Sequence, residues 1–512
     1  MPFLRSTRVV LWVATCVVVA GLAVVAADPP PSAGGNPAAD DSSGNPSGAS
    51  SSGHKTPAPP PRTPHGKTFE VAFTVNNLGY IDVCGCKHKK VRMGSVARRQ
   101  SYIRQATAAG RTLLLVDGGN CLFHNDNVKV QDHERVQILE RSKVLVESMN
   151  RMGYKAMAVG HYDLVLGLDT LKEFEQQAKF PFLCANYVND AGELIFPPTT
   201  EVEVDGIKVG ILGLTLATIQ PHYLERRAPG TRVTDPIEAA RRYVPELRQR
   251  NQVVIVLSHN KVELNRTLAE QVAGIDFIVD PYIQMGNHKL WLEDNEVTER
   301  IGTCTIVRTD SQGARLGLLD LDVVPTGAPF SFRPAEEVPA GKSSFAFSRV
   351  SIEPHFLEDP EIQLMVEAFR KGTAFVNTAT LPPLPDKDKY LTASTCQACH
   401  VDQYNFWQST KHAHAFASLE ATNDQWRQDC IGCHVLGYGQ TFVAPAEAEP
   451  YKNVQCESCH GLNPEHPQDP KAHQWPRIQE TACLTCHNER QTFSEFKFGP
   501  MRQKVACPPL TR

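Results

Sequence analysis

Neither sign of charge dominates this chain. It has 52 Lys and Arg against 56 Asp and Glu, a formal charge of −4 over 512 residues, which excludes a polycation built to grip nucleic acid. Long apolar runs are scarce. Only residues 9–27 approach membrane length and the mean hydropathy is −0.29, which excludes a polytopic membrane protein. Methionine nearly disappears toward the C-terminus, where Met501 is the only one after Met365. Large apolar residues are almost missing from 28–67. That stretch is rich in Pro, Gly, Ser and Ala and cannot offset its ordering entropy by burial, so it reads as a disordered linker. The chain as a whole is 41% hydrophobic and 21% charged, enough for globular cores, and its length suggests two domains with linkers. Cysteine is abundant at 15 residues, and its placement carries most of the information.

Arg5 and Arg8 precede the apolar run, and Ala26 and Ala27 close it before Asp28 and three prolines. Basic, apolar, then small residues is the layout of a secretory signal over residues 1–27. If retained, the same run is an N-terminal anchor and membrane tether; a lipid on Cys16 is a third option. Each places the rest of the chain in the periplasm or another extracytoplasmic space.

Residues 68–326 alternate. Apolar, β-branched runs at 69–75, 113–116, 156–159, 209–214, 253–257 and 277–279 are separated by amphipathic helical stretches at 96–109, 134–152, 236–248 and 262–272. This predicts an α/β domain, a sheet covered by helices. A hairpin is expected over 304–309 and 316–324, around Ser311-Gln312-Gly313. Residues 327–387 read as a linker with one short helix. From 388 to 512 strand-like runs are few and most of the cysteines appear, which predicts a mainly α domain.

That last segment repeats one motif four times: Cys396-Gln397-Ala398-Cys399-His400, Cys430-Ile431-Gly432-Cys433-His434, Cys456-Glu457-Ser458-Cys459-His460 and Cys483-Leu484-Thr485-Cys486-His487. C-x-x-C-H is the attachment signature of a c-type haem. Two thiols one helical turn apart bond to the two vinyl groups on one porphyrin edge, and the adjacent His becomes the proximal iron ligand. Paired zinc ribbons are the competing reading, but a ribbon does not need His after every second cysteine. The expectation is four covalently bound c-type haems, with His400, His434, His460 and His487 proximal. So short a segment, poor in aliphatics, must draw much of its buried apolar surface from the porphyrins. Met501 allows His/Met coordination at one haem at most. Beyond the motifs, the histidines from 346 onward are His355, His412, His414, His466 and His473, so most irons would be bis-histidine or five-coordinate.

The segment resembles the tetrahaem cytochrome c-554 family over about 388–508. The matching residues are Trp407, Thr410, His412, Ala413 and Ala415 after the first motif, Cys433-His434-Val435 with Gly437 at the second, and Val454-Gln455-Cys456 through Gly461 with His466 at the third. The resemblance implies electron transfer and makes His412 and His466 the leading distal ligands, with His414 and His473 as further candidates. Cys507 stands where related proteins often have His.

The front domain resembles the metallophosphoesterase domain of 5′-nucleotidases and UDP-sugar hydrolases, with its metal motifs eroded. Asn76-Asn77-Leu78-Gly79 stands in place of D-x-H and Gly119-Asn120 in place of G-D. Gly160-His161-Tyr162-Asp163 replaces G-N-H, and Asp280-Pro281-Tyr282 replaces G-H-x-H; Ser258-His259 keeps its histidine. His161, Asp163 and His259 are the residual positions. Two hard dications need several carboxylate and imidazole ligands, so a working hydrolase is not expected. Cys84, Cys86 and Cys121, with His124, fall on the same carboxyl-end rim and suggest a thiol or soft-metal site; structural disulfides are the plainer alternative. Lys87, His88, Lys89, Lys90 and Arg92 are a solvated face or a dock for an anionic group. Cys184 and Cys304 sit in apolar runs and are expected to be buried and inert.

The expectation is an exported multihaem cytochrome c that exchanges electrons with redox partner proteins and carries a docking or thiol domain in front. Two alternatives stay open: an oxidoreductase with an open haem site for a small nitrogen or sulfur species, and a metal-dependent hydrolase fused to a cytochrome.

Overall fold

The apolar runs of the front half become strands in two sheets. The computed structural model describes residues 66–82, 93–123, 132–216, 218–219, 221–284, 287–288, 292–324, 330–332, 341–373, 384, 386, 389–422, 424–475, 477–487 and 496–509. The signal or anchor at 1–27, most of the 28–67 stretch, Cys84, Cys86, the basic run and His124 lie outside these residues.

Sheet one has seven strands, in the order Ser331–Phe332, Ser344–Ser351, Arg315–Val323, Lys67–Thr74, Leu113–Asp117, Ala156–Ala158 and Phe182–Leu183. Sheet two has six, in the order Thr298–Ile301, Cys304–Val307, Phe277–Val279, Val253–Ser258, Ile207–Leu214 and Thr199–Val204. The sheets face each other. Phe69, Val71 and Phe73 of the first strand share one core with Ile255, Leu257 and Phe277 of the second sheet. On the outer face of sheet one, Ala72 and Leu115 join Val96, Ile103, Leu145 and Met149 from the helices Val96–Ala108 and Asp132–Met152. On the outer face of sheet two, Leu212 and Val256 join Ala240, Val244 and Leu268 from Pro236–Arg250 and Val262–Gln271. Helix, sheet, sheet, helix is therefore the layering. Strands covered on both faces are apolar throughout, which is why their runs are continuous and do not alternate.

Three expectations change. The single sheet is a stacked pair. The hairpin is not formed: Cys304–Val307 pairs with Thr298–Ile301 and Phe277–Val279, whereas Arg315–Val323 pairs with Lys67–Thr74 and Ser344–Ser351 in the other sheet. The turn between them, with Gln312 at φ 61° and Gly313 at φ 63°, carries the chain across, and Gln312 N donates to Asn76 O at 2.7 Å. The linker expected over 327–387 contains the Ser344–Ser351 strand and the helix Pro360–Thr373, whose Ile362 and Val366 are buried in the front core.

The C-terminal part is built of short helices around a small apolar cluster: Phe416, Leu419, Ile431, Val435, Phe442 and Ala448. It meets the front part just ahead of the second motif. Gln137 Nε2 donates to Trp426 O at 3.2 Å, and Arg370 lies between Asp82 and Asp424. Among the described residues no helix is long and apolar enough to cross a membrane.

Candidate functional site

Each C-x-x-C-H motif begins on a short helix: Ala393–Gln397, Gln428–Ile431, Cys456–His460 and Glu480–Leu484. Backbone bonds close the turn. His400 N donates to Cys396 O at 3.0 Å, and His487 N to Cys483 O at 2.8 Å. Both thiols and the His are thereby held on one local surface. None of the eight motif cysteines is in a disulfide. The thiols of Cys396 and Cys456 are hydrogen-bonded, as are those of Cys433 and Cys486. The first motif thus borders the third, and the second borders the fourth. Cys507 is exposed and near enough to Cys456 and Cys459 to help push their thiols up.

The imidazoles are arranged in pairs. The ring centres of His400 and His466 are 5.9 Å apart with planes 20° from parallel, and those of His412 and His487 are 6.1 Å apart. Two imidazoles on opposite sides of one metal, each bonded at ~2 Å, stand about 6 Å apart between ring centres. His466 Nδ1 lies 2.7 Å from the His473 carbonyl, so that nitrogen donates and Nε2 is left as the ligating atom. His434 Nδ1 makes the same kind of bond to Ala415 O at 2.7 Å. Burial lowers the pKa of His400, His412, His460 and His487 below the usual imidazole value. The neighbouring ring adds to this at His400 (from His466), His412 (from His487) and His460 (from His400). The neutral imidazole that results is the form that binds iron.

The other candidates do not pair. His414 turns Nε2 toward Gln408 O at 3.0 Å, and His473 contributes its carbonyl. His355, largely exposed, lies against Phe356 of the front core with ring centres 4.0 Å apart, far from the motifs in sequence. Among the described residues no second imidazole stands at pair spacing from His434 or His460; the ring 5.9 Å from His460 is that of Trp475. The residues present fit covalent haem. The motif cysteines are not tied up in disulfides, two imidazole pairs have the spacing of a shared metal, and Val401 after the first motif and Leu484 within the fourth are 52% and 41% exposed, apolar surface that a porphyrin face would cover.

The rim of the front domain is built differently. Parallel register brings the ends of Lys67–Thr74, Leu113–Asp117 and Ala156–Ala158 together in one sheet, and of Val253–Ser258, Phe277–Val279 and Cys304–Val307 in the other. The loops beyond them close on each other. His259 Nδ1 lies 3.1 Å from Gly118 O, and Asn76 Nδ2 donates to Pro281 O at 3.1 Å. A side chain at Gly160 would place its Cβ 2.2 Å from Asn120 Oδ1; only glycine permits that approach.

The rim carboxylates and two of its amides already have protein partners. Asn77 donates to Asp117 Oδ2 at 2.6 Å and accepts from Arg99 Nη2 at 2.7 Å. Asn120 Oδ1 accepts from Tyr162 N at 2.9 Å. Asp163 accepts from Leu122 N at 2.9 Å and Gly160 N at 2.8 Å. Asp280 is gripped by Arg308 Nε at 2.7 Å and by Tyr282 N at 2.8 Å. Burial pushes the carboxyl of Asp163 up to about 7 and that of Asp117 up to about 6. His161 and His259 are neighbours, ring centres 5.6 Å apart. Asn76 Oδ1 is a buried acceptor with no hydrogen bond. Among the described residues no group of three or more His, Cys, Asp or Glu gathers as a metal site. With guanidinia of Arg99 and Arg308 inside this network, the set does not fit a pair of dications.

Cys121 is wholly buried, 3.5 Å from Met149 Sδ, and burial pushes its thiol well up. Cys84 and Cys86, with which it was expected to form a thiol or soft-metal site, lie outside the described residues. Cys184 and Cys304 are buried with raised thiol pKa, as expected. Sequence reasoning missed Asp117, Arg99, Arg308 and Trp475. Arg99 carries a readable signal, since it falls on the same helix face as Val96, Ile103 and Ala106, where an arginine must find partners inside.

The chain therefore joins a cytochrome c-like segment to a phosphoesterase-like α/β part. The family described as "Cytochrome c554 and c-prime" matches residues 395–461, which hold the first three motifs, and that family implies covalently bound c-type haem. The front part is similar to a probable 5′-nucleotidase of Treponema pallidum (strain Nichols), 28% identical over 209 residues, covering 39% of this chain and 33% of that protein. It is also similar to protein UshA of Yersinia enterocolitica, 30% identical over 164 residues, covering 30% and 27%. The chain thus spans about a third of the length of these curated relatives, or less. Among solved structures, a 5′-nucleotidase precursor from Thermus thermophilus is 20% identical with a TM-score of 0.48, over 68% of each chain.

Proposed function

We propose that this protein is an exported, tetrahaem c-type electron-transfer protein whose phosphoesterase-like front domain docks partners and does not hydrolyse phosphate esters. The observation that carries this reading is the pairing of His400 with His466 and of His412 with His487, at 5.9 and 6.1 Å. Haem supplies the one-electron iron couple. The eight motif cysteines would anchor it, and the four motif histidines together with His466 and His412 would supply imidazole ligands to its iron. Ligation without methionine favours low potentials. The closeness of Cys396 to Cys456 and of Cys433 to Cys486 supports a compact relay that passes electrons between redox partner proteins. His466→Ala and His412→Ala, made separately in the full haem-loaded chain, should each convert one haem from low to high spin. If both leave the spectrum unchanged, the pairing is wrong.

A second reading rests on His434, which has no facing imidazole among the described residues. An iron there with an open side would take a small nitrogen or sulfur species, and a spectral shift on adding such a ligand supports it. For the front domain, the occupied rim supports the non-hydrolytic reading. Turnover of 5′-AMP or UDP-glucose by the full chain with manganese or zinc, abolished by His259→Ala, would overturn it.

A further inference from the structure

One short segment serves two haem motifs. His460 ends the third motif, and His466, six positions on, stands opposite His400 of the first. From 461 to 475 the chain forms no helix or strand, so neither type of backbone ladder holds His466 in place. Proline at 464, 467 and 470 restricts the chain without supplying donors.

Turn bonds such as Asn463 N to Glu457 Oε1 at 3.1 Å and His466 N to Asn463 O at 3.2 Å shape the segment, and Trp475 braces it. Its ring packs on His466 at 4.2 Å between centres and lies 5.9 Å from His460. Its Nε1–H donates to Gly461 O at 2.9 Å, directly after His460. Two bonds tighten the same fold-back: His466 Nδ1 to His473 O at 2.7 Å, and Asn463 Nδ2 to His473 O at 3.1 Å. A metal ligand must be held to about 0.5 Å by its surroundings, and a loop alone rarely does so. An indole with one polar handle suits this, packing with its face and fixing its direction with the N–H.

We propose that Trp475 is a positioning residue that keeps His466 opposite His400 and ties that placement to His460, coupling axial ligation at the first motif to the environment of the third. This rests on the His400–His466 pairing proposed above. Trp475 touches the proximal-side imidazole of one motif and the distal-side imidazole of another, so its loss acts on two haems, whereas loss of His466 acts on one.

The test compares His466→Ala, Trp475→Ala and Trp475→Phe in the full haem-loaded chain, with haem content measured for each. His466→Ala should give a high-spin signal from one haem in four. Trp475→Ala should give the same signal at unchanged haem content, and added imidazole should return it to low spin, which a collapsed segment would not allow. Trp475→Phe keeps a ring on His466 and should stay low-spin. In a redox titration Trp475→Ala should move two midpoint potentials and His466→Ala one. A low-spin Trp475→Ala beside a high-spin His466→Ala overturns the positioning role, and a Trp475→Ala titration that moves a single couple overturns the coupling. If His466→Ala itself stays low-spin, the underlying pairing fails instead.

Discussion

Arg308→Met tests whether the front rim is a protein-filled structural network. Arg308 and Asp280 are 3% and 0% exposed, joined Nε to Oδ2 at 2.7 Å. The same guanidinium reaches Glu299 Oε2 at 2.9 Å and Glu296 O at 3.1 Å. Removing it leaves a wholly buried carboxylate with Tyr282 N at 2.8 Å and the Asn265 amide as remaining donors, neither of them charged. Breaking a buried pair from one side costs about 3–5 kcal/mol, because the stranded charge cannot recover its hydration. At ~2–4 °C per kcal/mol for a domain of a few hundred residues, the front-domain melting temperature should fall by roughly 6–20 °C. Thermal melts of the full chain followed by far-UV circular dichroism, with the Soret band followed separately, read this out. The Asp280→Asn, Arg308→Met double variant should recover more than half of the loss, since the amide carries no charge. An Arg308→Met protein as stable as its parent would refute the reasoning and reopen the rim as a hydrated or ion-holding site.

Two further outcomes follow from the buried rim. Asp163 and Asp117 have folded-state pKa values raised by burial to about 7 and about 6, above the ordinary 3.8. Between about pH 4 and pH 7 the folded state therefore holds protons that the unfolded chain releases, and front-domain stability should fall as pH rises through that window and level off above it. Urea melts at pH 5 and pH 8 should show this, with a smaller difference in Asp163→Asn; an equal difference in that variant contradicts the assignment. Cys121 is buried with its thiol pushed well up, so mass mapping should find it unmodified by alkylating reagents in the native protein and modified after unfolding. Rapid native labelling of Cys121 would show that the rim opens.

Much of this was readable in advance, for reasons that differ by region. Haem attachment writes its requirement into five consecutive residues, so the motifs are visible without a fold. The strands at 69–75 and 253–257 are readable because burial on both faces demands unbroken apolar runs. The partition of strands between two sheets was not, since Cys304–Val307 and Arg315–Val323 look like a hairpin until the turn at Gln312 is seen to bond Asn76 and cross over. The 344–351 strand was hidden because it follows a stretch rich in Pro and is itself rich in Ser, where pairing with Arg315–Val323 overrides weak local preference. His466 and His412 were legible through resemblance, but the motifs they face were not, because nothing local links His466 to His400. Asn77 and Asn120 were read as lost ligands; that they are held by Arg99 and by Tyr162 N is a tertiary fact.

The central claim is that one chain carries four covalent haems as an electron relay. Haem quantification by pyridine haemochrome, paired with intact mass on the same purified full-length preparation, tests it most directly. The account predicts four haems per chain, a mass above the apoprotein by four haem units that survives denaturation, and complete reversible reduction in the difference spectrum. Fewer than four covalent haems, or stoichiometric zinc in their place, would contradict it.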